Sequence, residues 1–263
     1  MSRPVRFLIA GVQKGGTTAL DGYLRDHPEV QMAATKEAHF FDDESIDWAN
    51  PDYGRYHALF TEDGRLRGEA TPIYLYWPNC LERIARYDPG TRLILLFRDP
   101  VGRAWSHWKM ERDRGWESEP FAWSVREGRR RVSNDPATPG FHRVFSYVER
   151  GLYAVQLERL LKLFPREQLL LLRSDDLSAD PDAVLSRVCA FLEVAQPAAV
   201  TPRRDNVARD DAPPPEADAA YLRSLYADDV RRFARLSGLD VAGWLTPPGG
   251  PATSAAPSAA APS

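Results

Sequence analysis

The run Phe7-Leu8-Ile9-Ala10-Gly11-Val12-Gln13-Lys14-Gly15-Gly16-Thr17-Thr18-Ala19-Leu20 limits what this chain can fold into more than any other stretch. Its apolar start predicts a short buried strand, a glycine-rich turn follows, and Leu20, Tyr23 and Leu24 recur at helical spacing. Strand, glycine loop and helix in that order build an anion cradle. The N–H groups of the turn and of the helix N-terminus aim at one spot, and glycine lets an anion approach the main chain closely. The ordinary nucleotide-binding loop, G-x-x-x-x-G-K-[ST], places lysine directly after the second glycine and a magnesium-holding hydroxyl after that. Here Gly11 and Gly16 keep the interval, but Thr17 follows Gly16 and the lysine has moved back to Lys14. A lysine inside the loop can lie against the bridging atoms of a diphosphate-like group, as a point charge for the leaving group. The bland alternative is a glycine turn without a ligand.

At 263 residues the chain suits one α/β domain with a large core and one or two insertions. A formal charge of −3 and a pI near 6.0 argue against a general nucleic-acid binder, so any anion site must be local. Cys80 and Cys189 lie far apart and read as reduced, buried thiols. No apolar run approaches the ~20 residues that span a bilayer, and Met1-Ser2-Arg3-Pro4 leads directly into the first strand, so a cytoplasmic protein without a membrane span is expected. The alternation of helical and strand patterns implies a P-loop-like three-layer α/β sandwich, a central parallel sheet flanked by helices. Residues 1–245 form a single domain in this reading. From Thr246 the composition turns to proline, glycine, alanine and serine, which cannot bury a core, and residues 246–263 are expected to be a disordered tail.

Further along, the strand Val30–Met32 opens into Lys36-Glu37-Ala38-His39-Phe40-Phe41-Asp42. In an extended segment Glu37 and His39 project to one side while Phe40 or Phe41 anchors the core. A carboxylate beside an imidazole suits a general base with its orienting partner, the alternative being a polar loop of solvated charges. Residues 43–66 lack periodicity and read as an irregular insertion. A helix from about Asn79 to Tyr87 precedes the strongest buried strand, Arg92–Phe97, which ends in Arg98-Asp99-Pro100. Pro100 suits the first turn of the next helix, where Ser106 lies eight residues after Arg98. An arginine fork and a serine hydroxyl so placed can bind one phosphate, whereas each alone reads as a surface salt bridge or a solvated hydroxyl. Residues 111–147 hold Arg126, Arg129, Arg130 and Arg131, either a solvated helix face or a flap that recruits an anionic acceptor. Gly151–Leu163, Gln168–Arg173, the helix capped by Asp180-Pro181 and a last helix ending near Gly238 complete the scaffold.

The loop Gly11–Thr18 resembles the 5′-phosphosulfate loop of sulfotransferases that use 3′-phosphoadenosine 5′-phosphosulfate (PAPS), in particular the heparan-sulfate and bacterial branch. Glu37-Ala38-His39 with Asp42 resembles that family's glutamate-x-histidine-x-x-aspartate segment, and Arg98-Asp99-Pro100 with Ser106 resembles its 3′-phosphate element. The resemblance implies that Lys14, Gly15, Gly16, Thr17 and Thr18 bind the 5′ end of PAPS and that Arg98 and Ser106 bind its 3′-phosphate. It makes Glu37 the acceptor of the substrate's proton, with His39 and Asp42 as support. It leaves 3′-phosphoadenosine 5′-phosphate (PAP) as product and requires no metal. Two departures stand out. The family's glutamate-lysine-threonine-proline stretch has Ala70 in the lysine's place, so either Lys36 or another cation covers that role, or the acceptor is less anionic. In the lysine-glycine-arginine loop that closes over the donor, only Arg209 matches, with Arg203 and Arg204 as substitutes.

The implied activity is sulfuryl transfer from PAPS to a hydroxyl or amine of a carbohydrate or glycosylated small molecule. The rivals are an ATP-dependent P-loop kinase with Asp99 on magnesium and a non-catalytic nucleotide-binding protein.

Overall fold

The computed structural model describes residues 3–134, 138–197 and 212–246. Five parallel strands make the sheet: β1 (Phe7–Gly11), β2 (Val30–Met32), β3 (Leu66–Ala70), β4 (Arg92–Phe97) and β5 (Leu169–Arg173), in the order β2-β3-β1-β4-β5. Alternation along the strands divides the core in two. From β1 and β4, Phe7, Ile9, Ile94 and Leu96 face one side and pack on α1 (Thr17–Arg25) and, further along the chain, on the helices that follow β5. Leu8, Ala10, Leu93, Leu95 and Phe97 face the other side, which is thicker.

Between β2 and β3 the chain is irregular except for the single turn α2 (Gly54–His57), as expected for an insertion without periodicity. The second face of the sheet is covered by α3 (Cys80–Tyr87) and α4 (Pro100–Asp113) and, beyond the short α5 (Phe121–Ser124) and α6 (Arg130–Ser133), by α7 (Tyr153–Leu163). After β5 come α8 (Ser174–Ala179) and α9 (Pro181–Leu192), which complete the first face, and α10 (Glu216–Ser237), which lies on α7. This is the three-layer α/β sandwich that the alternating pattern implies. Among the described residues no helix is long and apolar enough to cross a membrane.

Helix ends follow local chemistry. Asp99 caps α4, its two carboxylate oxygens accepting from the N–H groups of Val101 and Gly102, with Pro100 at the first helical position. Asp180 caps α9 in the same way, through the N–H of Ala183. The N-terminus of α1 has no such cap: Gly16 stands there in the left-handed region, φ 91°, and no side chain accepts from the first turn.

In a parallel sheet all carboxyl ends share one edge, and in this strand order the connections diverge between β1 and β4, where α/β proteins open their ligand crevice. Phe97 of β4 fixes that region from below, its ring 5.1 Å from that of Tyr153 and 4.6 Å from that of Phe233. Phe97→Ala should cost about 3–5 kcal/mol, read as a lower urea midpoint at unchanged slope.

Candidate active site

Two loops meet in this crevice. The loop after β1 is tied down by its own backbone: the N–H of Val12 donates to the carbonyl of Leu96 (3.0 Å), and that of Gly15 to the carbonyl of Val12 (2.9 Å). A Cβ at Gly15 would stand 2.3 Å from the Leu96 oxygen, so no other residue fits there without moving the strand. The uncapped first turn of α1, Thr17 and Thr18 included, is what the loop presents to the crevice.

Arg98 leaves the end of β4 and returns to the loop, its Nη1 donating to the Lys14 carbonyl at 3.4 Å. Its side chain runs over Gly102, where a Cβ would lie 3.7 Å from Nε. Ser106 and Met110 follow Gly102 at four-residue steps, so one face of α4 carries all three. Lys14 meets that face at the far end, Nζ 3.8 Å from the Met110 sulfur. Lys14, Arg98 and Ser106 thus border one stretch of helix, with the α1 N-terminus beside it. Burial, then the Arg98 and Arg114 charges, press the Lys14 ammonium below its ordinary pKa, while Glu111 and Glu37 act the other way.

Glu37, His39 and Asp42 are also brought together, but not on the extended segment predicted for them. Glu37 and His39 are both left-handed, φ 57° and 50°. The segment is instead pinned to its neighbours: the Glu37 N–H donates to the Ala70 carbonyl (3.0 Å), the His39 N–H to Thr71 Oγ1 (3.5 Å) and the Phe40 N–H to the Tyr74 hydroxyl (3.0 Å). Both Phe40 and Phe41 are buried. The tight turn still puts both side chains on one side, with His39 Nε2 3.5 Å from Glu37 Oε2 and Nδ1 2.9 Å from Asp42 Oδ2. Lys36 donates to Glu37 Oε1 at 2.8 Å, which puts a cation against this carboxylate.

The charges follow from these contacts. The His39 hydrogen bond, against some burial and helped by Lys36, holds the Glu37 carboxyl down at about 2. Asp42 and then Glu37 raise the His39 imidazolium to about 9. Burial opposes ionisation of Asp42, but His39 and Arg143 outweigh it and its pKa stays below the ordinary value.

Two residues that join this site, Arg143 and Arg150, carry no mark in the sequence, and a third, Glu69, is the glutamate of the stretch that has Ala70 in the lysine's place. Arg143 donates to both the side chain and the backbone of Asp42, with its guanidinium 4.2 Å from the Trp77 ring centroid. Arg150 is buried and donates to Gln13 Oε1 of the loop at 2.8 Å. Glu69 lies wholly buried beneath the Glu37 segment, accepting from Thr71 (2.7 Å) and Tyr56 (3.3 Å), and burial lifts its carboxyl to about 7. Each of these contacts except that of Thr71 joins positions far apart in the chain, so no local pattern announces them. In the arginine-rich stretch, Arg126 pairs with Asp218, Arg129 with Glu149 and Arg131 with the buried Glu117. These three are structural ties, and the reading of the four arginines as an acceptor flap does not hold for them. Arg203, Arg204 and Arg209 lie outside the described residues.

A parallel α/β sheet with a lysine-bearing glycine loop at its switch point defines a protein of the phosphate-loop class. Within that class the chain belongs to the sulfotransferase domain family, which it matches over residues 4–207. It is 34% identical over 190 residues to heparan sulfate glucosamine 3-O-sulfotransferase 3B1 of Homo sapiens, covering 70% of this chain and 45% of that protein. It is 26% identical over 265 residues to the membrane-associated sulfotransferase kil1 of Dictyostelium discoideum, covering 72% of this chain and 56% of the other. The chain therefore spans about half the length of these relatives. A sulfotransferase from Alicyclobacillus acidocaldarius has the same fold, with a TM-score of 0.78 at 28% identity over 93% of this chain and 99% of its own.

The Glu37–His39–Asp42 cluster makes a pH prediction. His39 has its pKa raised, so its pairing adds stability that is complete below about 6.5 and lost as pH rises through about 9. Glu37 is depressed, so its share is complete above about 4.5 and lost as pH falls through about 2. In Asp42→Asn the His39 midpoint should fall from about 9 back toward 6.5, which imidazole resonances followed by NMR will report; an unmoved midpoint would show that Asp42 does not set it.

Proposed function

We propose that this domain transfers the sulfuryl group of PAPS to a hydroxyl or amine of a carbohydrate or glycosylated small molecule, leaving PAP. The observation that carries the reading is one juxtaposition: an uncapped helix N-terminus, with Lys14 and Arg98 from two loops meeting beside it against one stretch of α4. The crevice suits such a donor because no capping side chain competes for the first turn of α1 and two cations border it.

In this reading Lys14 and the amides of Gly15, Gly16, Thr17 and Thr18 hold the 5′ end, and Arg98 and Ser106 hold the 3′-phosphate. PAPS supplies an activated sulfuryl group on a phosphate leaving group. Glu37 removes the acceptor's proton as the acceptor oxygen or nitrogen bonds to sulfur, and the sulfur–oxygen bond to phosphate breaks. Lys14 and the loop amides take up the charge that develops on that phosphate. At a pKa of about 2 the Glu37 carboxylate is a weak base while water covers it. An acceptor lying over it excludes that water and raises its basicity when transfer begins. His39 and Asp42 orient it, and Arg143 ties Asp42 to the 138–148 segment.

The carbohydrate acceptor is drawn from the relatives, whose names specify glucosamine in heparan sulfate. The free, buried Cys80 and Cys189 suit a reducing compartment, and we place the protein in the cytoplasm on that ground. The kinase alternative needs Asp99 on a metal, yet both Asp99 oxygens accept helix N–H groups.

Incubation with labelled PAPS and a panel of glycans, glycolipids and cell extract should yield a product heavier by one sulfate. Lys14→Ala and Glu37→Gln should each lower turnover at least ~10²-fold, with Glu37→Gln still binding PAP in calorimetry. Near-normal transfer by either variant removes that residue from the mechanism.

A further inference from the structure

Next to the face of α4 that lines the crevice runs a buried one. It carries Arg103, His107 and Glu111 at four-residue steps, each almost fully inaccessible. Arg103 donates through Nη2 to the Tyr147 carbonyl and directs Nη1 to His107 Nδ1 at 3.5 Å. A guanidinium only donates, so Nδ1 is the acceptor and the His107 proton sits on Nε2. That nitrogen faces Glu111 Oε1 at 3.4 Å, and Arg114 Nη1 approaches the same oxygen at 3.5 Å.

Among the described residues Arg103 Nε, His107 Nε2 and Glu111 Oε2 are buried without a hydrogen-bond partner of good geometry. A buried carboxylate with one oxygen unmatched is costly unless charge compensates it. Arg114 meets only Oε1, and a second cation, Lys14, stands at the same turn of α4, its Nζ 3.8 Å from the sulfur of Met110, the residue before Glu111. Burial disfavours the Glu111 carboxylate, and Arg114, Arg150 and Lys14 favour it; His107 and the Tyr147 ring complete its surroundings. Around Lys14, Arg98 and Arg114 oppose the ammonium, while Glu111 and Glu37 support it.

We infer that Glu111, oriented by His107 and Arg103, is a positioning residue whose buried carboxylate is the fixed countercharge keeping Lys14 cationic inside the loop. Glu37 cannot serve equally, because it sits in the open cleft and is committed to Lys36 and His39. The functional consequence rests on the proposed role of Lys14 toward the donor; the electrostatic one does not.

The test follows Lys14 directly. Lys14, Lys36, Lys109 and Lys162 are the only lysines in the sequence, so side-chain resonances of ¹³Cε/¹⁵Nζ-labelled protein are few enough to assign and titrate. In Glu111→Gln the Lys14 midpoint should drop by about one pH unit, as expected for losing a nearby opposite charge, with the other three unmoved. Glu111→Asp, which withdraws the carboxylate by one methylene, should give a smaller drop in the same direction. In transfer assays the alkaline limb of kcat/KM should move with it, so activity at a pH above the new midpoint falls about tenfold while activity below it is kept. An unmoved Lys14 midpoint in either folded variant overturns the inference. Were the wild-type protein to neither bind PAP nor transfer sulfate, the donor reading would fall, and the Lys14 titration would still decide this one.

Discussion

The hydrogen bond from Val12 to the Leu96 carbonyl is the contact on which the functional edge of this molecule depends. It holds the first loop against the end of β4, so that two chain segments more than 80 residues apart emerge side by side. Gly15 is required by the same contact, since any side chain there would strike the Leu96 oxygen. Two residues beyond Leu96 the chain reaches Arg98, which therefore falls beside Lys14 without needing a long reach. Lys14 and Arg98 are thus placed mainly by backbone geometry in a buried parallel sheet, the most rigid arrangement the fold offers.

The carboxylate side is built differently. Its segment belongs to no helix or strand and takes its shape from what lies beneath: the Ala70 carbonyl, the Thr71 and Tyr74 hydroxyls and the buried Glu69. The aromatic residues of the irregular 43–66 insertion pack around it, Phe40 stacking on Tyr56 at 4.8 Å and Phe41 on Trp48 at 6.2 Å. Packing of this kind is what lets Glu37 and His39 keep left-handed backbones that L-residues otherwise avoid. An insertion without periodicity is therefore the scaffold of the carboxylate cluster.

This difference also explains what could be read from the sequence. Glycine spacing, strand runs and proline-led helix starts are local signals, and they located the sheet, the first loop and α4 within a residue or two. The strand run and the proline-led helix start likewise put Arg98 just past β4 and Ser106 on α4, because both are local signals. The conformation of residues 36–42 was not, because it is set by hydrogen bonds to positions about 30 residues away. Arg143 and Arg150 were invisible for the same reason: their partners Asp42 and Gln13 lie 101 and 137 positions earlier. In the 126–131 run composition misleads, since charge density shows neither which arginines already have acids nor which acids are buried.

The choice of cation at each point is itself chemical. The sequence has 34 basic residues and only four are lysines, yet Lys14 and Lys36 both stand in this one crevice. Arg98 reaches from the strand end as a planar fork, the form suited to a phosphate with several oxygens in fixed geometry. Lys14 is a compact charge whose ammonium is disfavoured by burial and by the Arg98 and Arg114 charges, and in the proposed reading it lies where charge changes during transfer. A group so placed has to be desolvated enough to act strongly on a departing phosphate and still remain protonated, and these demands conflict unless an acid stands behind it. A buried carboxylate one residue beyond the methionine that Lys14 touches meets both demands, which is why the inner face of α4 carries charges that the core would otherwise exclude.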